Sequence, residues 1–264
     1  GRRVVATTTT DAERDAGGPD WVRWDALDES LPDVDWTEVD AIIHLAAPRS
    51  LFDFPACAEP VFRTCVDAVF RLLEAARHAG VRRFVMASSG DVLDDLHAPA
   101  TEGEAVHPRS FYGAAKAAAE LMTQHYDGML STAVARIFHP YGPGGDRFVI
   151  NRVIARVRAG LDVTVEGDDG IILNPIWIDD LAEGFALAVE RNDGGIFHFA
   201  GEDVLSFRSL LHMIGEAAGR PPRIVGLPPA GEGQSHCGDC ARSRRHLGFR
   251  PVVGLREGLA RMVG

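Results

Sequence analysis

Val81-Arg82-Arg83-Phe84-Val85-Met86-Ala87-Ser88-Ser89-Gly90-Asp91-Val92-Leu93 decides how this chain is read. Its middle is an apolar run without a polar alternate, as expected of a parallel strand covered on both faces. The run ends in Ser88 and Ser89, and ligands in open α/β sheets bind beyond the carboxyl ends of strands. On the N-terminal side, residues 60–79 carry Val61, Cys65, Ala68, Leu72, Ala75 and Ala76 at helical spacing, with Gly80 as a stop. On the other side, residues 110–126 form an alanine-rich helix that ends near Gly128 and leads into a strand at 132–138. Further strands are predicted at 3–7, 21–24 and 41–45. Short β-branched runs alternating with helical patterns mark an α/β architecture. Beyond residue 140 the chain is looser and richer in Gly and Pro, with helices predicted at 147–159, 179–191, 206–218 and 254–263. That change predicts a smaller second lobe over the ends of the sheet. No repeat, low-complexity tract or long linker separates independent domains.

At 264 residues, 46% hydrophobic and 25% charged, the composition is that of a globular chain able to bury a core without staples. The formal net charge of -11 argues against nucleic acid or an anionic membrane as partner. No apolar run is long enough to span a bilayer and the first residues do not read as a signal peptide, so a cytoplasmic location is expected. The four cysteines, Cys57, Cys65, Cys237 and Cys240, are too few and uneven for a disulfide scaffold. Cys237-Gly238-Asp239-Cys240 is formally a C-x-x-C, readable as a redox pair or half a zinc site. With no second pair following, incidental or structural cysteines and no metal are the expectation.

The chemistry-bearing pattern is Tyr112-Gly113-Ala114-Ala115-Lys116. Lys116 is the only lysine in a chain that otherwise meets its need for positive charge with arginine. Unlike arginine, lysine is a compact point charge whose pKa responds to its surroundings. Four residues apart on a helix, Tyr112 and Lys116 project from one face. A nearby ammonium favours phenolate and brings a tyrosine toward use as an acid/base near neutral pH. Taken alone, the pair also reads as an aromatic residue packing beside a solvated lysine, and Ser89 alone as a turn or cap serine.

Together these stretches resemble the extended short-chain dehydrogenase/reductase superfamily, in its NAD-dependent epimerase/dehydratase group. Val39-Asp40-Ala41-Ile42-Ile43-His44-Leu45-Ala46-Ala47-Pro48 is similar to the strand that runs along the cofactor, and Leu72-Leu73-Glu74-Ala75-Ala76-Arg77 to the helix that follows. Ser88-Ser89-Gly90-Asp91-Val92 resembles the catalytic serine strand, and Tyr112–Lys116 the Tyr-x-x-x-Lys helix. Arg136-Ile137-Phe138-His139-Pro140-Tyr141-Gly142-Pro143-Gly144, Asn174-Pro175-Ile176-Trp177-Ile178-Asp179-Asp180 and Arg244-Arg245-His246-Leu247-Gly248-Phe249-Arg250-Pro251 match later signatures in the right order. The resemblance implies a Rossmann-like doubly wound parallel sheet with a smaller C-terminal substrate-binding lobe. The dinucleotide-binding domain would span 1–140, with 175–198 returning to it, and the substrate lobe 141–174 and 199–264.

By resemblance, Ser89 orients the substrate oxygen, Tyr112 is the general acid/base, and Lys116 lowers the tyrosine pKa and holds the nicotinamide ribose. The cofactor would be NAD, with NADP left open. Asp25 would read the adenine, with Ala26 beside it, and Thr7 would end the strand nearest the adenosine. Leu45, Ala46, Ala47 and Pro48 would pass beside the pyrophosphate and ribose, with Arg49 as a phosphate contact and Phe138 near the nicotinamide. Asp91, His139 and Asn174 would join Ser89 around the substrate, a sugar carried on a nucleotide. Residues 60–79 and 110–126 resemble the helix pair that forms a four-helix homodimer interface in this family.

The pattern departs from the family in several places. No Gly-rich phosphate loop is found in the sequence; Gly142-Pro143-Gly144-Gly145 follows a later strand. A preceding β-α unit is therefore expected, since its strand would be central and its loss would expose sheet edges and apolar surface. Thr7-Thr8-Thr9-Thr10 brings no acidic residue to the adenosine ribose, and Arg14 is only nearby. Cys65 stands where the family has an asparagine, His139 replaces another, and Leu173 stands where an arginine often pairs with a diphosphate. Gly90 removes the acidic neighbour that dehydratases keep beside the position of Asp91, which ranks epimerisation or ketoreduction above dehydration. A reading from another class stays open: a cofactor-free catalyst, or a binding or regulatory protein that keeps the fold.

Overall fold

A computed structural model describes residues 3–9, 18–93, 99–229 and 235–263; Thr10 and Arg14 lie outside the described residues. Strand β1 (Val5–Thr8) pairs in parallel with β2 (Asp20–Arg23). After β3 (Ala41–His44) the chain enters α1 (Ala58–Phe62), passes a π-helical turn (Arg63–Asp67) and continues as α2 (Ala68–Ala79). Next come β4 (Arg83–Ser89), α3 (Phe111–His125) and β5 (Ser131–Ile137). They are followed by β6 (Pro140–Tyr141), α4 (Val149–Ala159), β7 (Asp162–Glu166), β8 (Ile172–Leu173), β9 (Ile176–Trp177), α5 (Ile178–Glu190) and β10 (Gly195–Phe199). The chain ends in β11 (Leu205–Ser206), α6 (Phe207–Ala217), β12 (Arg223–Leu227), β13 (Ser235–His236), α7 (Ala241–Leu247) and α8 (Leu255–Val263).

The main sheet runs β10-β5-β4-β3, all parallel, with β1 and β2 as a separate parallel pair. Strand β4 lies inside the main sheet and all its residues are buried. The cause is its alternation: Phe84 and Met86 join Leu72, Leu73 and Ala119 on one side, while Val85 and Ala87 join Leu181, Phe197 and Phe199 on the other. The apolar run is continuous because both faces have a core to fill. Among the described residues β1 pairs only with β2, and β3 only with β4, leaving one edge of each unpaired. Ile43 and Leu45, on and just after β3, are 41% and 59% exposed.

A third core is built from α4, β7, β8, α6 and α8, with Ile150, Val165, Leu173, Leu210, Ile214 and Leu259 at its centre. Leu173 is buried there, its side chain taken up by apolar neighbours. Helix α7 and Phe249, assigned above to the substrate lobe, instead pack into the core of the main sheet, where the Phe249 ring meets Phe199 edge to face at 4.8 Å. The sequence did not announce α7 because Ala241-Arg242-Ser243-Arg244-Arg245-His246-Leu247 carries too few apolar residues to show a period.

An ion pair is buried among these layers. Glu120 on α3 takes Arg136 of β5 at 2.7 Å and 3.0 Å, both side chains being almost inaccessible, and its Oε1 also accepts the Ser88 hydroxyl of β4 at 2.5 Å. Burying each charge costs several kcal/mol, which close pairing and added hydrogen bonds must offset. Removing one member strands the other. Glu120→Ala should lower the urea-measured unfolding free energy by about 3–5 kcal/mol. A Glu120→Leu, Arg136→Met double replacement should be more stable than Glu120→Leu alone, and the reverse order would remove the pair from this role.

Candidate active site

Helix α3 starts at Ser110, whose hydroxyl accepts the Gly113 N–H at 2.9 Å, a cap worth about 1 kcal/mol. The cap places Tyr112 in the first turn and Lys116 one turn later, both buried. Gly113 sits between them and the turn after β4: a Cβ there would lie 2.2 Å from the Asp91 carbonyl oxygen. With no side chain at this point, the helix presses its first turn onto the Ser89–Asp91 turn. Ser89 ends β4 in extended backbone and caps a short 3-10 turn, Gly90–Val92. Its hydroxyl accepts the Asp91 N–H at 3.2 Å and donates to Asp91 Oδ2 at 2.6 Å.

Lys116 Nζ donates to the Ala87 carbonyl at 2.8 Å and stands 5.8 Å from the centroid of the Tyr112 ring. Burial pushes the ammonium pKa down, against Cys65 and Glu120, which raise it. The Tyr112 phenol is pushed up, chiefly by burial, then by Cys65 and Asp91, with the Ser89 hydroxyl pulling the other way. This differs from the expectation that Lys116 holds the phenol low. In the protein alone desolvation outweighs any help from the ammonium, whose hydrogen bond goes to the backbone of β4.

Cys65, noted in the sequence as a departure from the family, and residues with no assigned role complete the surroundings of the tyrosine. Cys65 lies in the π-helical turn and packs with Cys57, Tyr112 and Ala115. In that turn the Ala68 N–H reaches back five residues to the Arg63 carbonyl, and His44 Nε2 lies 3.3 Å from the Thr64 carbonyl. The Phe52 ring meets Tyr112 edge-on at 5.9 Å. Glu120, four residues past Lys116, could have been found from its helical spacing alone; Phe52, in a loop, carried no signal.

Apart from those on α3, the candidate cofactor residues lie at the carboxyl ends of β1, β2 and β3, with Phe138 just past β5. Thr7 is exposed in β1. Asp25 and the buried Ala26 form the turn after β2, where Asp25 Oδ1 accepts the Leu27 N–H at 2.9 Å and the Ala26 carbonyl takes Arg71 at 2.9 Å. Leu45, Ala46, Ala47, Pro48 and Arg49 follow β3, alternately exposed and half-buried. Phe138 corrects its expectation: the ring is fully buried, between Gly90 and Gly238, and stacks near His198 and His236, so it offers no surface to a nicotinamide.

The substrate candidates divide. Asp91 stays beside Ser89, while His139 Nε2 is 2.9 Å from His236 Nδ1, whose other nitrogen is 3.9 Å from Asp91. Burial, then His236, hold the His139 imidazole down at about 3. Asn174 is corrected as well: its buried amide clasps the Gly238 backbone, donating to the carbonyl at 2.9 Å and accepting the N–H at 3.2 Å. One N–H and the carbonyl oxygen of this amide fix the segment after β13. Cys237 and Cys240 are buried, and Cys240 Sγ lies 3.3 Å from the Ala200 N–H nitrogen.

Gly113→Ala tests the close approach. Alanine is the better helix former, yet here the overpacking should cost about 1–3 kcal/mol in urea unfolding. A gain in stability would show that α3 does not press on the Asp91 turn.

Among curated proteins, the chain is 33% identical over 235 residues to a dTDP-glucose 4,6-dehydratase of Streptomyces griseus, covering 85% of this chain and 70% of that one. It is 32% identical over 236 residues to a UDP-glucose 4-epimerase of Mycolicibacterium smegmatis, covering 85% and 75%. Against UDP-glucuronic acid decarboxylase 1 of Arabidopsis thaliana it is 28% identical over 239 residues and spans about half of that protein's length, 54%. Among solved structures, MoeE5 in complex with UDP-glucuronic acid and NAD superposes with a TM-score of 0.85 at 28% identity, over 100% of this chain and 90% of that one. The Thermus thermophilus UDP-glucose 4-epimerase complex with NAD gives 0.82 at 26% identity, over 98% and 89%. The family model for the NAD dependent epimerase/dehydratase family matches residues 3–199, and with these relatives and this Rossmann-type sheet the chain belongs to that family.

Proposed function

We propose that the chain is an NAD-dependent enzyme acting at a secondary alcohol or ketone of a nucleotide-linked sugar, as an epimerase or reductase. The observation that carries this reading is the burial of Tyr112 and Lys116 one turn apart on α3, pressed by Gly113 onto the turn that holds Ser89. The nucleotide sugar and the cofactor are supported by the relatives, whose names and bound ligands are of that kind.

The residues present fit a dinucleotide on two sides. Lys116 spends one N–H on Ala87 and keeps two for ribose hydroxyls. Asp25 spends Oδ1 on its own turn and keeps Oδ2 for an amino group. The half-buried stretch Leu45–Arg49 lies between them in the order of the strands. Bound NAD would supply the hydride acceptor and donor, and its ring's positive charge would offset the burial that holds the phenol high. Ser89 orients the substrate oxygen with its hydroxyl. Tyr112 takes the proton from that oxygen when an alcohol is oxidised and gives it back when a ketone is reduced. Lys116 keeps a positive charge under the tyrosine.

With NAD and either UDP-glucose or UDP-glucuronic acid, Tyr112→Phe should lose at least about a hundredfold in turnover. Calorimetry should find its NAD affinity within a few-fold of the parent protein. Near-normal turnover would remove the Ser89–Tyr112–Lys116 assignment.

The molecule would work as a cytoplasmic homodimer. No described helix is long and apolar enough to cross a membrane. Phe62, Phe70 and Leu121, on α1, α2 and α3, are 52%, 47% and 59% exposed, an apolar face that supports pairing through these helices. Leu121→Arg should convert a dimeric mass in light scattering to a monomeric one; a monomeric parent protein would end this part of the proposal.

A further inference from the structure

Gly90, between Ser89 and Asp91, has no side chain, and an imidazole stands over the place. A Cβ at Gly90 would lie 2.8 Å from His236 Cε1 and 2.6 Å from the Phe138 ring. His236 arrives from β13, and its Nδ1 is 2.9 Å from His139 Nε2, the rings meeting edge to face at 4.7 Å. His139 holds this partner with a φ of 46°, the one non-glycine residue in the left-handed region among those described. Such a conformation persists only where its surroundings enforce it, and it collects at working sites. The other nitrogen of His236, Nε2, is buried without a hydrogen-bond partner, 3.9 Å from Asp91 Oδ1. The second oxygen of Asp91 takes the Ser89 hydroxyl at 2.6 Å.

We propose that His236, held by His139, is a positioning residue that acts through Asp91 on the Ser89 hydroxyl at the reaction centre. The inference rests on the Ser89–Tyr112–Lys116 reading above. With the hydrogen of neutral His236 on Nδ1, shared with His139 Nε2, Nε2 has only a lone pair to show the carboxylate, and Asp91 keeps the hydrogen of Ser89. When His236 is protonated, Nε2–H faces the carboxylate and a small movement closes a charge-assisted bond. That bond draws the charge of Asp91 away from Ser89 and releases its hydroxyl hydrogen to the substrate oxygen. The same proton offsets the Asp91 charge that helps to raise the Tyr112 phenol.

The groups facing His236 among the described residues are Asp91 from the turn after β4, His139 after β5, and the adjacent Cys237 thiol, with His198 behind the Phe138 ring. His139 is held neutral by burial and does not compete for the proton. Gly90 and His236 thus belong together: the residue that removes the acidic neighbour also makes room for the imidazole.

The first measurement needs no substrate. In NMR spectra of the imidazole nitrogens, Asp91→Asn should move the His236 Nε2 resonance, because the facing carboxylate is lost. An unchanged resonance would overturn the proposal. The second follows turnover with NAD and UDP-glucose or UDP-glucuronic acid. His236→Gln should be slower than the parent by about tenfold near pH 6 and close to it near pH 8, since only the protonated ring does the work. In an Asp91→Asn background the His236→Gln change should have no further effect. A deficit equal at both pH values, or one that survives in that background, leaves His236 a packing residue only. Should His236→Gln not fold, His139→Asn serves instead, because asparagine accepts the left-handed backbone. It should show the same pH-dependent loss in smaller measure, and a pH-independent loss would count against the proposal. An active Tyr112→Phe would instead overturn the parent reading while leaving the NMR coupling as expected.

Discussion

The buried pairing of Glu120 with Arg136, joined by the Ser88 hydroxyl, fixes the helix of the candidate site to its sheet. It links α3, β4 and β5 in one contact. Two charges in a nearly inaccessible position are tolerated only in good geometry, so α3 has little freedom to slide or rotate. Lys116 is one helical turn before Glu120 and Tyr112 one turn before that. The position of the phenol is therefore set by an ion pair two turns away, by the Ser110 cap at the near end, and by the contact of Gly113 with Asp91. Each acts on the same rigid helix.

The electrostatics of the site follow from depth. Tyr112, Lys116, His44 and His139 are all moved toward their uncharged forms, with burial as the leading cause in each case. A site like this resists carrying charge by itself. It is suited to a reaction in which a cation enters with the cofactor and a proton passes through the phenol. Asp91 is a partly open carboxylate beside Ser89, with His236 facing it and His139 holding His236.

The sequence carried much of the fold. Strand β4 was legible because an apolar run without alternation has few explanations, and α3 because its alanine-rich run stops near Gly128. The break at Arg63–Asp67 was not, since a π-helical turn keeps nearly the same apolar spacing as an α-helix. Helix α7 was missed for lack of apolar residues. At the site, Tyr112 and Lys116 were found by their helical spacing and Ser89 by its place at the end of a strand; the first turn of α3 lies against the turn that holds Ser89. Phe138 and Asn174 were matched as ligand contacts, but the ring of the first is buried between Gly90 and Gly238 and the amide of the second holds the Gly238 backbone. His236 had no sequence signal, because its partners lie 97 residues away at His139 and across the sheet at Asp91.

The central claim is that the buried tyrosine and lysine serve hydride chemistry on a nucleotide-linked sugar. Its most direct test is to mix the protein, loaded with NAD, with UDP-glucose or UDP-glucuronic acid and follow the near-ultraviolet absorbance of reduced nicotinamide. A transient rise in that absorbance within the first turnover, lost in Tyr112→Phe, is the expected result. Conversion of the sugar by protein freed of NAD would contradict the account.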